Sequence, residues 1–422
     1  MSCWFIMTEM RIRFSSGFSG CSERERIMTK RLYYADSYLK EFSGTVLECR
    51  QIDAKPAVVL DRTAFYPETG GQPHDTGMLN DAHVLNALED ESGAILHVLD
   101  REIPAGAVSG RIDWARRFDH MQQHTGQHIL SQAFIAVAQA QTLSFHMGTD
   151  TSTIDIDLAG PLPVQMEEAQ TLATNVVFQN RAVHILATDR DSLSSLGVRK
   201  ESQREGEIRV IDVEGFDRSP CGGTHVRSTG EIGAIFVSNF ERYKGGTRVE
   251  FAAGGRVLKL LQREHELLRR LARIHSAAPD TLVEITEKCL QERTALTREN
   301  DLLEGRLLEM EAADLLQSAP KTERGCLVYR TFSGRKLENV KVLAQNLTRN
   351  PGVVVILGIA DACQIVLARS KDLQGNCGDA IKRVAAEWGG KGGGRPELAQ
   401  AGGFPADCLD NWMKALAQYF NS

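Results

Sequence analysis

The sequence predicts a multidomain α+β chain: a β-barrel-like N-terminal domain, an α+β domain, a helical hairpin or coiled-coil spacer, and a C-terminal α/β domain. Three observations carry this. Runs rich in β-branched residues, "TVLECRQI" and "PAVVLDRTAFY", are followed by the Gly- and Pro-bearing stretch "PETGGQPHDTG", the pattern of short strands and turns. At "RRFDHMQQHTGQHILSQAFIAVAQA" helix formers replace the turn residues, and Ile129, Leu130, Ala133, Phe134 and Val137 recur at helical spacing. Further on, Leu282, Cys289, Leu296, Leu303 and Met310 stand seven residues apart, one seam of a long helix.

The elements follow in order. In residues 1–27, Arg11 and Arg13 interrupt any apolar core, so the segment reads as an upstream extension, with Met28 an alternative start, and not as a signal peptide. Residues 28–117 form the β-rich domain. In 118–253, "STIDIDL", "IRVIDV" and "GAIFVS" read as strands around the helical "PVQMEEAQTLATNVVFQN", an interleaving that predicts one compact α+β domain. Residues 254–319 read as two helices parted at Pro279 and Asp280, with Asp280 or Thr281 as N-cap. The seam pairs either within the chain or with a second subunit. In 320–422, two apolar strands, "GVVVILGIA" and "CQIVLARS", precede the helical "DAIKRVAAEW" and a Gly-rich loop, "GGKGGGRPELAQAGG".

Composition narrows the function classes. The 422 residues are 42% hydrophobic and 25% charged, an ordinary globular mixture. No apolar run approaches the roughly 18 to 20 residues that span a bilayer, which argues against a membrane partner. Nine cysteines without a repeated spacing point to reduced thiols and a cytoplasmic location. A net charge of −6 argues against a DNA-coating protein, and it leaves RNA open through a local basic patch.

The chemistry concentrates in two short stretches. His124 and His128 stand at i and i+4, so both imidazoles project from one helix face. In "SPCGGTHV", Cys221 precedes His225 across Gly222 and Gly223, on a turn between "IRVIDV" and "GAIFVS"; glycine permits the backbone angles of a tight ligand loop. Three imidazoles and a thiolate suit one Zn²⁺. Either pair alone is equally a satisfied helix face or a core cysteine; two pairs on two elements of one domain favour a metal. No Glu follows the first histidine, unlike a zinc protease helix. Four protein ligands close a structural site, whereas catalysis needs an open position, so one ligand, His225, is the candidate to give way.

At these residues the chain resembles a known family. "TAFYPETGGQP", "HTGQHIL", "SFHMG", "GFDRSPCGGTHV" and "TGEIGAIFV" occur in the order found in the editing half of alanyl-tRNA synthetases, and more closely in the free-standing alanyl-tRNA editing proteins, the AlaX group. "GGKGGGRPELAQAGG" is similar to the signature of the DHH-associated RNA-binding domain. The resemblance implies a zinc-dependent aminoacyl-tRNA deacylase that hydrolyses the ester between serine or glycine and alanine tRNA. By match to the motif, His124, His128, Cys221 and His225 take the zinc-ligand roles. Two departures stand out. No segment before Tyr33 resembles an aminoacylation core, so the chain is not expected to charge tRNA. Asp119 and His120 lack the second adjacent histidine of a DHH phosphoesterase. The alternative reading is a non-catalytic tRNA-binding subunit of a split synthetase with a structural zinc.

Sparing alanyl-tRNA while cleaving seryl-tRNA calls for groups that hydrogen-bond the serine hydroxyl. Gln127, His146 and Thr149 are the candidates for that catalytic or specificity lining. For RNA, Arg242, Lys244, Arg248 and Arg256 cluster beside glycines, with Arg248 the preferred contact. In the last domain Lys391, Gly392, Gly393, Gly394 and Arg395 repeat the logic. The partner expected is mischarged alanine tRNA, with a homodimer through the spacer or the C-terminal domain.

Overall fold

A computed structural model describes residues 28–193, 196–199, 206–322 and 325–421; the upstream extension expected at 1–27 lies outside them. The chain divides into two compact units, the first ending at Arg269 and the second starting at Arg270. Among the described residues no helix is long and apolar enough to cross a membrane.

The first unit begins with a closed six-stranded barrel: β1 (Glu41–Ile52), β2 (Lys55–Leu60), β3 (Gly77–Leu79), β4 (Ala82–Glu89), β5 (Ile95–Leu99) and β6 (Gly106–Ile112), in the order β1-β2-β5-β4-β3-β6. The first and last strands pair antiparallel from Glu41↔Arg111 to Val46↔Gly106, which leaves no free sheet edge. Alternate residues such as Phe42, Val46, Val58, Leu60, Leu79 and Ile95 fill the interior.

Helix α1 (Trp114–Ala138) follows directly. Asp113 caps it by accepting from the Arg116 N–H, and Gln139 ends it in the left-handed conformation with its N–H on Ile135 O. Its first turns lock onto the barrel domain. Arg117 and Asp75 form an ion pair with both side chains fully buried, and the guanidinium also donates to Ser37 O and Ala64 O. Its remaining length lies on a four-stranded sheet made of β7 (Thr142–Met147), β8 (Ser152–Ile156), β12 (Ile235–Tyr243) and β13 (Gly246–Ala253), in the order β12-β13-β8-β7. The Gln123 amide pairs with both backbone groups of Ala253 and fixes helix to sheet. Helix α2 (Pro163–Phe178) packs beside α1, with Met166, Ala169, Ala173 and Val177 in the shared core.

A second sheet of three strands, β9 (Val183–Thr188), β10 (Ile208–Val213) and β11 (Asp217–Pro220), carries the second ligand pair. The sequence leads one to expect Cys221 on a turn between the strands "IRVIDV" and "GAIFVS". Instead β11 pairs back on β10 from Val210↔Pro220 to Val213↔Asp217, and the Cys221–His225 loop leaves from its end.

The division between units falls in helix α3 (Gly255–His275); a short 3₁₀ turn at Pro279–Thr281 precedes α4 (Leu282–Ser318). Thr281 occupies the N-cap position without a side-chain capping bond; its hydroxyl donates to Ala278 O. Of the heptad seam, Leu282 is buried, whereas Leu296 and Met310 are 64% and 67% exposed. Near its end α4 turns Leu308 and Ala312 into the core of the second unit. There a mixed sheet contains β14 (Lys321–Thr322), β15 (Gly325–Phe332), β16 (Val353–Ile359), β17 (Gln364–Arg369), β18 (Lys391–Gly394) and β19 (Leu398–Gly402), in the order β14-β15-β16-β17-β19-β18. Helix α5 (Leu337–Leu347) covers one face, and α6 (Cys377–Trp388) and α7 (Leu409–Asn421) the other, with Trp412 fully buried.

The Gly-rich stretch expected as a loop is the edge of this sheet. Lys391–Gly394 pairs antiparallel with Leu398–Gly402. A Cβ on Gly392 would lie 2.6 Å from Ile381 Cγ2, and one on Gly394 2.4 Å from Ala399 Cα. Glycine is used here for close approach of helix and strand, a role that composition does not distinguish from a flexible loop.

Candidate metal centre

His124 and His128 lie midway along α1, and Cys221 and His225 lie on the loop after β11. One ligand atom from each comes within 4.8 Å of all the others. Cys221 Sγ is 3.3 Å from both His124 Nε2 and His225 Nε2. The imidazoles crowd together, His124 and His225 at 4.6 Å and His128 and His225 at 4.8 Å between ring centroids. Gly223 makes the loop fit: a Cβ there would stand 2.2 Å from His124 Cε1.

Each histidine is held by its other nitrogen. His124 Nδ1 lies 2.8 Å from Gln72 Oε1, His128 Nδ1 lies 3.2 Å from Asp217 Oδ2, and His225 Nδ1 lies 3.1 Å from Thr125 Oγ1. Such outer partners orient metal-binding imidazoles and raise their basicity. Asp217 is itself buried, accepts from Ser219 Oγ at 3.0 Å and pairs with Arg199 Nε at 3.4 Å. Arg209 Nη1 donates to Cys221 O and Gly223 O at 2.9 and 2.7 Å and braces the loop.

Burial and neighbouring charges act on three of the four donors. Burial, with the Arg209 charge, pushes the His124 pKa down to about 3, and burial with the neighbouring imidazoles and Arg209 holds His225 well below its ordinary value. Burial works to raise the Cys221 thiol; hydrogen bonding with His128 and Gly223 and the Arg209 charge outweigh it, so its pKa is lowered. Burial likewise opposes ionisation of Asp217, and His128 and Arg199 reverse it. Neutral imidazoles and an anionic sulfur are the forms that bind metal, and this donor set fits zinc.

A cleft of about 250 Å³ opens onto the cluster, lined by His124, His128, Cys221, Gln127, Thr142 and Phe145 among others. Of the specificity candidates, Gln127 is in this lining, buried, and donates to Ser131 Oγ at 2.8 Å; Thr142 Oγ1 meets the same oxygen at 2.7 Å. His146 and Thr149 are not there. Side chains alternate along a strand: Phe145 on β7 turns inward to 5.3 Å from His124, so His146 faces out, and Thr149 sits exposed on the turn beyond. Arg248, on β13, grips Asp155 through two bonds of 2.7 and 2.9 Å and lies over the Tyr243 ring at 3.6 Å; Arg256 is paired with Asp119. Lys391 and Arg395 are exposed in the second unit. Residue-type reasoning missed Gln72, Thr125, Arg199, Arg209 and Asp217; Gln72 and Asp217 do stand inside the motifs "TGGQP" and "GFDRSP", yet nothing local assigns them to a histidine.

Comparison with known proteins gives this arrangement a class. Residues 29–116 match the family described as tRNA synthetases class II (A), 208–250 the threonyl and alanyl tRNA synthetase second additional domain, and 325–422 the DHHA1 domain. The chain is thus built from domains of the alanyl-tRNA synthetase type. The alanyl-tRNA editing protein AlaX-L of Pyrococcus horikoshii is 30% identical over 390 residues, covering 88% of this chain and 94% of that protein. The chain belongs to this family of alanyl-tRNA editing proteins. It is also 32% identical to the alanine–tRNA ligase of Pyrococcus furiosus over 387 residues, where it spans 42% of the ligase. The crystal structure of the C-Ala domain from Aquifex aeolicus alanyl-tRNA synthetase is 26% identical and covers 25% of this chain and 99% of that one, with a TM-score of 0.23.

Proposed function

We propose that this chain is a trans-acting, zinc-dependent deacylase that removes serine or glycine from mischarged alanine tRNA. The observation that carries the reading is the cleft lined by His124, His128 and Cys221 of the donor cluster. A closed structural site needs no such access; a site acting on an acyl group does.

His124, His128, Cys221 and His225 would hold the ion, which when bound supplies positive charge to polarise an ester carbonyl. The chain's own residues bind and orient. Among the described residues no carboxylate lines the cleft, and its walls position the aminoacyl group. Gln127 and Thr142, braced from behind by Ser131, form a polar wall that meets a serine hydroxyl, the kind of discrimination an apolar pocket does not reach. Hydrolysis adds water across the ester and yields the free amino acid and a tRNA with its terminal hydroxyl restored. Arg248, Lys391 and Arg395 are proposed as tRNA contacts, with Gly393, whose Cβ position meets nothing within 4 Å, leaving room for the RNA backbone; residues 28–117, 118–253, 254–319 and 320–422 are proposed as the domains. A second copy of the chain is the proposed partner of the exposed α4 seam, to be read from the sedimentation mass.

Incubation with seryl-, glycyl- and alanyl-tRNA, with and without a chelator, tests the reading. Loss of a seryl or glycyl ester, sparing of the alanyl ester, and abolition by chelator reversed by zinc are expected. Seryl and glycyl esters that survive high protein concentration with metal bound would leave the non-catalytic tRNA-binding subunit.

A further inference from the structure

We propose that Gln72, a side chain of the barrel domain, is a positioning residue that sets the tautomer of His124 and thereby the affinity of the donor cluster for its metal. The affinity part rests on the zinc reading above; the tautomer part does not.

The turn that delivers Gln72 is built for it. Thr69 and Gln72 bridge each other, and between them Gly70 and Gly71 hold φ of +59° and +83°, a two-residue turn that side chains resist. Gly71 is pressed against β7: a Cβ on it would stand 2.5 Å from Phe145 O, and its own carbonyl accepts from Met147 N at 3.1 Å. The turn is therefore pinned to β7, and its last residue enters the core of the other domain fully buried.

There the hydrogen bonds leave one solution. Thr224 N–H donates to Gln72 Oε1 at 3.1 Å, and Gln72 Nε2 donates to Thr224 Oγ1 at 2.9 Å. A backbone N–H only donates, so the amide oxygen is the atom facing it. That same oxygen lies 2.8 Å from His124 Nδ1. Two acceptors do not bond, so Nδ1 carries the proton and the Nε2 lone pair points to Cys221 Sγ, 3.3 Å away. One side chain from the barrel thus orients a ligand of the first pair and, through Thr224, the loop of the second.

The test is made on the full chain with ¹⁵N-labelled histidine. In metal-free protein, long-range ¹H–¹⁵N correlations are expected to show His124 protonated at Nδ1. Gln72→Met keeps the bulk and loses the acceptor; Gln72→Glu keeps the acceptor. The Met variant is expected to shift His124 toward the Nε2–H form and to weaken zinc, in competition with a chromophoric chelator, by about 10- to 100-fold. The Glu variant is expected to keep Nδ1–H and stay within tenfold of wild type or bind tighter. An Nε2–H signal for His124 in the unsubstituted protein overturns the proposal even if the Met variant does not fold. So does wild-type zinc affinity in a folded Met variant, or equal loss in both variants. Failure of the unsubstituted protein to bind zinc would sink the metal reading while the tautomer result still decides the role of Gln72.

Discussion

His128 Nδ1 lies 3.2 Å from a carboxylate oxygen of Asp217, and Asp217 is fully enclosed. A carboxylate only accepts, so His128 donates and presents Nε2 to the cluster. Asp217→Ala is expected to weaken zinc binding by about 10- to 100-fold. It should slow deacylation at limiting zinc and recover most of the loss at saturating zinc. Chelator competition and a zinc titration of activity check both.

The Arg117–Asp75 pair ties the site helix to the barrel. Both charges are buried, and Asp75 Oδ2 also accepts from Tyr66 N at 2.6 Å. Removing one partner strands the other charge, so Arg117→Met is expected to cost about 3 to 5 kcal/mol. Adding Asp75→Asn removes the stranded charge and keeps an acceptor for Tyr66. The double variant should therefore be more stable than the single one, as read from urea unfolding.

Acid should loosen the barrel through His97. It is fully buried, with Nδ1 on Val58 O at 3.2 Å and Nε2 beside Thr63 Oγ1 at 2.8 Å, and burial lowers its pKa from 6.5 to about 4. The unfolded chain takes up a proton below about pH 6.5 and the folded chain does not until about pH 4. Stability is therefore lost as pH falls through that window. At pH 5 the loss from this group is about 2 kcal/mol. His97→Gln should flatten that part of the slope; an unchanged difference in unfolding free energy between pH 7 and pH 5 contradicts it.

Periodicity makes part of this molecule readable in advance. Strand alternation marks the barrel strands, helical spacing marks α1, and an i,i+4 pair of histidines shares a face wherever its helix lies. The anchors of the donors are another matter. Gln72, Asp217 and Thr125 meet histidines 52, 89 and 100 residues away, and only the packing of barrel, helix and second sheet makes those contacts. His146 shows the same limit on a smaller scale. Its chemistry suits a pocket, but strand parity gives that place to Phe145, and parity follows from pairing such as Thr153↔His146 across β8. Glycine content is ambiguous in a similar way, since "GKGGG" serves here as a tightly packed edge strand.

That strand reshapes how RNA binding by the second unit is to be tested. Deleting from Gly392 onward removes β18, β19 and the helix bearing the fully buried Trp412, so lost binding would report lost folding. Lys391 and Arg395 are exposed at the two ends of β18, and substituting them leaves the close glycine contacts intact. If both meet tRNA phosphates, Lys391→Ala with Arg395→Ala should weaken tRNA binding and flatten the log–log salt dependence by roughly 1 to 2, since each phosphate contact displaces about one counterion. Filter binding from low to moderate salt measures this, alongside thermal unfolding to show that the sheet persists. An unchanged salt slope would place the RNA contact elsewhere on the chain.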